Sequence, residues 1–184
     1  MDSFFEQIIK KKKTALDWLL TVLIIVAALA VLFAVFLFVP DFMFIALVGV
    51  GYGAWWLITN QNVEYEYCVT NGDIDVDQIT ARRKRKRLVS VAGRKVEMLQ
   101  PYDPAAPVGK YDRRVMAAPS LNAEGLWCFS YRSKKNGHTL VVFQPDERIL
   151  RSFYEGLQKL VQMDTDRSAR ALGIDLKAKI QDED

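Results

Sequence analysis

Two uncharged apolar runs near the start of the chain constrain its fold more than any other feature. No Asp, Glu, Lys or Arg occurs from Leu19 to Val39 or from Phe42 to Asn60, and only Pro40-Asp41 separates the two runs. A helix that crosses the roughly 30 Å hydrocarbon core of a bilayer needs about 20 apolar residues. Each run is close to that length, so the sequence predicts a two-helix transmembrane hairpin over residues 15–60 that turns at the proline.

Neither a signal peptide nor a buried soluble core accounts for these runs. A cleavable signal peptide has an apolar core of about 7–15 residues followed by a cleavage site. Here the first run is longer and the second follows almost at once. Two fully apolar helices inside a soluble domain would need more protein to cover them than the rest of this chain supplies. We therefore expect an integral membrane protein.

Cations flank the predicted hairpin on both sides. Four lysines precede the first span at residues 10–13, and all six residues from 82 to 87 are Lys or Arg. Cations beside membrane spans stay in the cytoplasm. We therefore expect a two-span protein of the cell membrane with both termini in the cytoplasm and residues 1–14 as a basic cytoplasmic segment.

Two features inside the predicted spans have both a structural and a functional interpretation. Asp17 is expected to be a first-turn carboxylate near the helix N-terminus and the lysines, rather than a functional intramembrane acid. Three glycines of the second span are expected to pack against the Ala-rich first span, rather than to form a homodimer contact, because the partner within the chain is already tethered. These glycines are Gly49, Gly51 and Gly53.

After the hairpin the hydrophobic pattern changes to a period of two. Residues 63–70, VEYEYCVT, alternate as a strand does, and the following Asn71-Gly72 is the strongest short signal for a β-hairpin. Five more strands are predicted at LVSV, KVEMLQ, RRVMAA, LWCFSYR and HTLVVFQ. Residues 61–162 are therefore expected to form a small domain with about seven short strands.

An amphipathic helix is expected to follow the last strand. Pro145 ends the sheet, and apolar residues then recur at spacings of three and four, which is typical of a helix that covers a core. They are Ile149, Leu150, Phe153, Leu157, Leu160 and Val161. Residues 163–184 are more charged and are expected to form a helical or disordered tail. A second helix over Thr165–Ile180 has a weak stripe of Ala169, Leu172, Leu176 and Ile180.

This pattern resembles a pleckstrin-homology-like domain. The segments that carry the resemblance are VEYEYCVTNGDIDV, the basic run with LVSV, and TLVVFQPDERILRSFYEGL, within residues 63–160. The resemblance implies an α+β fold, in which a small antiparallel β-barrel or sandwich with a C-terminal capping helix follows the transmembrane helical hairpin. Bacterial membrane proteins with such domains often begin them just after a helical hairpin.

The whole chain is also similar to a family of short bacterial two-span membrane proteins of unknown function. The shared segments are the start MDSFFEQIIKKKKT, the helical hairpin, and WWLITNQNVEYEYCVTNGDIDVDQITARRKRKRL. Together, these segments cover the membrane anchor, its junction with the soluble domain and the basic strand. This resemblance implies the architecture, but a fold does not by itself establish an activity.

No catalytic arrangement can be assembled from the sequence, so we expect no enzyme, no cofactor and no metal. His138 is the single histidine and is expected at a solvated strand end. Cys68 and Cys128 have no zinc-site spacing and are expected to be reduced apolar strand residues. The acids of the strand DIDVDQIT lack the loop geometry of an EF-hand and are expected to neutralise part of the basic run across the sheet.

The basic run is the candidate binding site. If extended, it points Arg82, Lys84 and Lys86 one way and Arg83, Arg85 and Arg87 the other. Three interpretations remain open: an inert topological signal, a surface for anionic lipid headgroups or an acidic partner, and a nucleic-acid site. No aromatic residue interleaves with the run, which argues against nucleic acid. Lys134 and Lys135 of a later turn are grouped with this site.

Two hypotheses of function follow. In the first, the chain is a membrane-anchored, non-enzymatic binding or adaptor module that presents its domain at the cytoplasmic face to anionic lipid or an acidic partner. In the second, it is an accessory or structural subunit of a larger membrane complex and associates through the transmembrane hairpin. Replacing the hairpin with an unrelated one should spare the first function and abolish the second.

Overall fold

A computed structural model of the chain describes residues 3–104, 109–171 and 173–176. Two apolar helices and two four-stranded sheets precede two C-terminal helices. In chain order the elements are β1 (Phe4–Lys10), α1 (Ala15–Phe38), α2 (Met43–Thr59), β2 (Val63–Thr70), β3 (Asp73–Thr80), β4 (Lys84–Val91), β5 (Val96–Pro101), β6 (Arg113–Ala117), β7 (Trp127–Ser133), β8 (Gly137–Phe143), α3 (Glu147–Glu155) and α4 (Lys159–Arg170).

The helices α1 and α2 form a helical hairpin, joined by a 3-10 turn over Pro40–Phe42. Both are long and apolar enough to cross a membrane, and the rest of the described chain buries neither. A capping box starts α1: Thr14 accepts a hydrogen bond from the Asp17 main-chain N–H, and the Asp17 carboxylate accepts one from the Thr14 N–H at 2.8 Å. Lys11 lies 3.5 Å from that carboxylate. Asp17 is therefore the first-turn carboxylate that the sequence predicts.

The first sheet has the antiparallel order β1-β2-β3-β4. Strand β1 pairs along its whole length with β2, from Phe4 opposite Thr70 to Lys10 opposite Glu64. A strand in residues 1–14 was not predicted from the sequence. The helical hairpin is therefore inserted between two neighbouring strands of one sheet. We call the end of this sheet where β1 ends and β2 begins the hairpin-proximal end, and the opposite end the distal end.

The second sheet has the order β5-β7-β8-β6. All seven strands predicted after the hairpin are present, and the two sheets with the C-terminal helices confirm the predicted α+β class. The expectation of a fully antiparallel arrangement is wrong for one pair, because β6 and β8 run parallel. The β7–β8 hairpin inserts β8 between β7 and β6, which places two strands of the same direction side by side.

The inner faces of the two sheets and the helix α3 form the main core. Phe129 lies at its centre, with ring centroids 5.2 Å from both Phe143 and Phe153 in edge-to-face geometry. Asp146 caps α3 by accepting the Ile149 N–H at 2.7 Å. The fully buried side chains of this core include Tyr67, Val69, Ile74, Val76, Val96 and Val141.

The predicted capping helix is divided into two helices. The chain leaves the helical path between α3 and α4, at residues 156–158. Leu160 is consequently 72% exposed, so its predicted place in the core is wrong, whereas Val161 and Ala169 are buried. The buried Thr165 hydroxyl donates to the Leu99 carbonyl oxygen at 2.9 Å and fixes α4 on β5.

The predicted tail is ordered through α4. The helix ends at Arg170, before the end of the second helix expected over Thr165–Ile180. Leu176 is buried against the core, while Leu172 and residues 177–184 lie outside the described residues.

Three glycines allow main chains to meet at the distal end of the first sheet. Gly72 in the β2–β3 turn has φ +83° and lies against the main chain of Gly156, at the end of α3. A Cβ atom at either position would overlap the main chain of the other, and a Cβ at Gly93 would overlap both. The distal end is therefore closed by backbone packing that tolerates no side chain.

Candidate functional site

The basic run begins in a strained turn at the hairpin-proximal end of the first sheet. Ala81 and Arg82 both have φ +55°, a left-handed conformation that costs non-glycine residues roughly 1–2 kcal/mol each. The turn closes with a hydrogen bond of 3.1 Å from the Arg83 N–H to the Thr80 oxygen. The Ala81 N–H donates to the Asn62 oxygen at 2.8 Å, which ties the turn to the segment that leaves α2.

Two arginines of the run are neutralised by acids on the outer face of the first sheet. Arg87 lies 2.7 Å from both Asp75 and Asp77, and Arg85 pairs with Asp77 at 3.3 Å and with Glu66. Glu66 and Asp77 are only 3% and 4% exposed beneath these guanidinium groups. The prediction that the acids of β3 neutralise part of the basic run is confirmed for Asp75 and Asp77, whereas Asp73 accepts the Gly93 N–H at 3.1 Å instead. Arg85 and Arg87 therefore have a structural role.

The lysines of the run lie on the opposite face. Lys84 and Lys86 pair with Thr80 and Gln78 in the β3–β4 ladder and are exposed. A β-bulge between Val76 and Asp77 shifts the pairing of the two strands. Because of this shift, the residues beyond the bulge still alternate between the core face and the outer face. In the described part of the chain, neither lysine forms an ion pair. The predicted alternation therefore holds from residue 84 onward, where the run is a strand.

The first two arginines of the run turn towards the helical hairpin. Arg83 places its guanidinium 5.4 Å from the centroid of the Trp55 ring and 3.4 Å from the Thr59 hydroxyl oxygen, both in α2. Arg82 lies 3.4 Å from Glu64 at the start of β2. These two residues therefore belong to the junction between helices and sheet.

A cation-lined cavity of about 430 Å³ occupies this junction. Lys10 at the end of β1 and the three lysines that follow it form one side, and the strained turn forms another. We call it the junction pocket. Its lining residues are Lys10, Lys11, Lys12, Lys13, Asp17, Thr59, Gln61, Asn62, Val63, Glu64, Ala81 and Arg82.

Main-chain contacts hold the lysine segment in place. The Lys11 N–H donates to the Val63 oxygen at 2.9 Å, and the Lys12 N–H donates to the Pro119 oxygen at 3.0 Å. The Lys13 ammonium lies 5.9 Å from the centroid of the Trp18 ring. Within the described residues, Lys10, Lys12 and Lys13 form no ion pair, so their charges are available to a ligand.

The pair Lys134 and Lys135 lies far from this pocket. Both are in the turn that joins β7 to β8. The other end of β8, at Phe143, is level with the end of β6, and Pro119 just beyond it contacts Lys12. A seven-residue strand is about 20 Å long, so the two lysines are at the opposite end of the second sheet. The structure does not bring them together with residues 82–87.

The remaining sequence candidates form ordinary contacts. His138 is at the start of β8, with its Nε2 3.2 Å from a Glu97 oxygen and its ring 4.5 Å from that of Tyr111. Cys68 and Cys128 are free thiols in strands. Burial raises the pKa of both thiols, that of Cys128 to about 11, so neither is an activated nucleophile.

Among the described residues, one group of possible metal ligands appears on the outer face of the first sheet. Glu6, Glu66 and Cys68 bring ligand atoms within 4.8 Å of one another. The Arg85 guanidinium already binds the Glu66 carboxylate and balances its charge without a metal ion. Glu66 therefore belongs to the arginine–acid network that covers β3.

The glycines of α2 do not pack as the sequence suggests. An added Cβ at Gly49, Gly51 or Gly53 would meet nothing within 4 Å, so no close approach of α1 requires these glycines. The expectation that they pack tightly against the Ala-rich first helix is therefore wrong. They instead leave parts of the α2 surface open.

Lysines 10–13 were not predicted as site residues, because the sequence pattern assigned them to membrane orientation alone. Their position is set by the pairing of β1 with β2, which brings residues on both sides of the helical hairpin together. The alternation in FFEQIIK was the available signal. It was weak because both faces of this strand mix polar and apolar residues.

Comparison with known proteins identifies the architecture. The chain matches the family model described as "Bacterial PH-like domain (DUF6106)" over residues 1–163, a range that includes β1, the helical hairpin and both sheets. No curated protein and no solved structure matches it. The family match confirms the resemblance inferred from residues 63–160. The chain therefore belongs to the bacterial PH-like domain family DUF6106.

Proposed function

We propose that this chain is a membrane-anchored, non-enzymatic binding module that holds an anionic phospholipid headgroup in the junction pocket at the cytoplasmic face. The observation that carries the proposal is the meeting of Lys10–Lys13 with Arg82 at the end of the helical hairpin. The two basic segments lie on either side of the hairpin in sequence, and pairing of β1 with β2 brings them to one cavity.

The place of the pocket relative to a bilayer supports this proposal. With α1 and α2 as membrane spans, both of their connections to the sheet lie on one side, which the flanking cations assign to the cytoplasm. Trp18 and Trp55 are exposed beside Lys13 and Arg83 at this end of the helices. Indole rings favour the headgroup layer, so the pocket lies at the level of the lipid phosphates.

The charge balance of the pocket favours an anion. Its lining has five cations and two carboxylates, a net charge of 5 − 2 = +3. Lys11 pairs with Asp17 and Arg82 with Glu64, at 3.5 and 3.4 Å. Three lysines remain for a ligand, and cations beside an anionic leaflet contribute about 1 kcal/mol each.

The test uses the full chain reconstituted in phosphatidylcholine vesicles with increasing fractions of brominated phosphatidylglycerol, which quenches nearby tryptophans. Preferential binding should quench the indoles of the junction more than the lipid fraction alone predicts, and the excess should fall with salt. Replacing Lys12 and Lys13 with Gln should weaken the preference about tenfold or more.

The matched control replaces Lys134 and Lys135 with Gln, which changes the charge equally at the opposite end of the second sheet. This variant should keep the preference. Equal quenching by brominated phosphatidylcholine and phosphatidylglycerol in the unmodified chain would refute lipid binding by the pocket. An equal loss of the phosphatidylglycerol preference in both variants would show that the net charge of the chain, and not the pocket, causes it.

A second candidate function rests on the open surface of α2. The positions of Gly49, Gly51 and Gly53 leave space that another transmembrane helix can approach. In this case the chain is an accessory subunit that associates through its hairpin. Crosslinking in native membranes distinguishes the two functions. The comparison is a variant with an unrelated apolar hairpin between β1 and β2. Loss of a specific crosslinked product in this variant favours the accessory-subunit function.

A further inference from the structure

An apolar groove of about 290 Å³ runs along the helical hairpin. It lies between the two helices, and four of its lining residues are small: Ala27, Ala28, Gly53 and Ala54. Ile24, Ala28 and Val31 of α1 and Val50, Ala54 and Leu57 of α2 line it.

The groove and the junction pocket share one face of α1. Asp17 of the pocket, Thr21, and Ile24, Ala28 and Val31 of the groove follow one another at steps of three and four residues. Residues at these steps form a continuous stripe on a helix. A molecule in the pocket can therefore extend along this stripe into the groove.

A polar contact marks the border between the two. The Thr21 hydroxyl donates to the Asp17 main-chain oxygen at 2.8 Å and lies 3.1 Å from Oε1 of Gln61. At a rise of 1.5 Å per residue, Ile24 is about 4.5 Å and Val31 about 15 Å from Thr21 along the helix. That range matches the hydrocarbon of one leaflet, roughly half of 30 Å.

We infer that one anionic phospholipid molecule occupies both features, with its phosphate among the lysines of the junction pocket and an acyl chain in the groove. The inference rests on the proposed function and extends it from a charged surface to a site for a single retained lipid. Along α1, the cations of the pocket are followed by the polar groups at its border and then by the apolar groove. The headgroup, the ester groups and the acyl chain of a phospholipid follow one another in the same order. An apolar protein helix in the groove would leave Lys10, Lys12 and Lys13 without a counter-charge.

Gly53 offers a way to fill the groove without disturbing its walls. It lines the groove, and an added Cβ there meets nothing within 4 Å. Gly51 is equally open but is not part of the groove lining. Gly53→Leu and Gly51→Leu are therefore a matched pair, because the same side chain is added to the same helix and only one of them occupies the lipid path.

The experiment purifies the full chain in a mild nonionic detergent and measures bound lipid by native mass spectrometry after addition of dioleoylphosphatidylglycerol or dioleoylphosphatidylcholine. The unmodified chain should retain one phosphatidylglycerol. Gly53→Leu should lose the retained lipid, and Gly51→Leu should keep it. The variant with Lys12 and Lys13 replaced by Gln should lose the selectivity for phosphatidylglycerol.

The outcomes separate this inference from the proposed function. If Gly53→Leu retains the lipid while the lysine variant loses it, the pocket binds headgroups and the groove inference is wrong. Loss in both leucine variants also overturns it, because the effect then follows from the hairpin and not from the groove. A dimer peak that disappears only in Gly53→Leu would assign the groove to a second copy of the chain. No selectivity in the unmodified chain refutes the proposed function itself.

Discussion

Two turns at opposite ends of the first sheet share a backbone conformation and differ in almost everything else. Asn71 and Gly72 at the distal end have φ +51° and +83°, and Ala81 and Arg82 at the hairpin-proximal end both have φ +55°. Asn and Gly adopt this left-handed region readily, whereas Ala and Arg do so at a cost. The distal residues suit the conformation, and the proximal ones do not.

The surroundings account for the difference. The distal turn is packed against the main chain of Gly156, so its residues are constrained by space. The proximal turn borders an open cavity lined by cations, and Arg82 forms part of the wall of this cavity. Local strain is tolerated at sites that other contacts hold in place, here the hydrogen bond from Ala81 to Asn62. One end of the sheet is therefore built for packing, and the other displays charge.

The largest effect is expected at the distal end. Gly72→Ala adds a Cβ that overlaps the Gly156 main chain and also imposes the left-handed penalty, so it should destabilise the domain by about 3 kcal/mol or more. Urea denaturation of the detergent-solubilised full chain, followed by circular dichroism of the strands, measures this. Gly125→Ala is the control, because Gly125 has φ +71° with nothing within 4 Å and should cost about 1 kcal/mol. Equal costs would show that strain, and not packing, governs the distal turn.

The next effect separates structural cations from available ones along β4. Arg85→Gln removes the arginine that pairs with the buried Glu66 carboxylate and one of the two that pair with Asp77, so it should cost about 2 kcal/mol. Lys84→Gln, one residue away, should change the free energy of unfolding by less than about 0.5 kcal/mol. The same denaturation measurement applies to both. Similar values for the two variants would contradict the division of the basic run into two roles.

The third prediction places an asparagine, the residue type that begins the distal turn, in the proximal turn. Ala81→Asn should stabilise the domain by about 1 kcal/mol, because Asn tolerates the left-handed conformation better than Ala. Ala92→Asn is the control, since Ala92 is extended at φ −72° and should gain nothing. The melting temperatures of the two variants in the same detergent provide the comparison. A gain at both positions would point to a general effect of Asn.

The smallest effect tests burial in the second sheet, at Cys128 in β7. Burial raises the pKa of the Cys128 thiol from its ordinary value of 9.0 to about 11. The unfolded chain therefore ionises first as the pH rises. The stability from the neutral thiol is complete below about pH 9 and is lost towards pH 11. By about pH 9.5 the loss should be about 0.8 kcal/mol.

Cys128→Ala should remove this part of the pH dependence of unfolding, while Cys68→Ala keeps Cys128 and should retain it. Unfolding free energies of both variants at about pH 7 and pH 9.5 make the measurement. A loss that persists without Cys128 would assign the pH dependence to other groups.

Local pattern was sufficient to predict most of the fold. Alternation in VEYEYCVT and the Asn71-Gly72 turn predicted the first β-hairpin, and both features are local in sequence. The parallel pairing of β6 with β8 and the division of the C-terminal helix depend on tertiary packing, which periodicity does not report. Strand β1 was missed because its partner lies beyond the helical hairpin and its own alternation is weak.

The sequence predicted only part of the candidate site. The sequence drew attention to residues 82–87, but charge alone did not distinguish Arg85 and Arg87, which cover acids, from Arg82, which lines the pocket. The lysines at 10–13 were visible as a cluster, yet their meeting with Arg82 follows only from the register of β1 on β2. The pairing of the strands in the sheet therefore determines which cations are available to a ligand, and the sequence of the basic run does not.

The insertion of both helices between two paired strands also fixes an order of events during synthesis. Strand β1 leaves the ribosome first, but its partner β2 follows only after residues 11–62, which include the whole helical hairpin. The sheet therefore cannot close until both helices have been made. Its first strand waits unpaired through that interval, and closing the sheet is what gathers the lysines of the pocket with Arg82. Assembly of the pocket is thus a late step, reached only by chains whose helical segment is already complete.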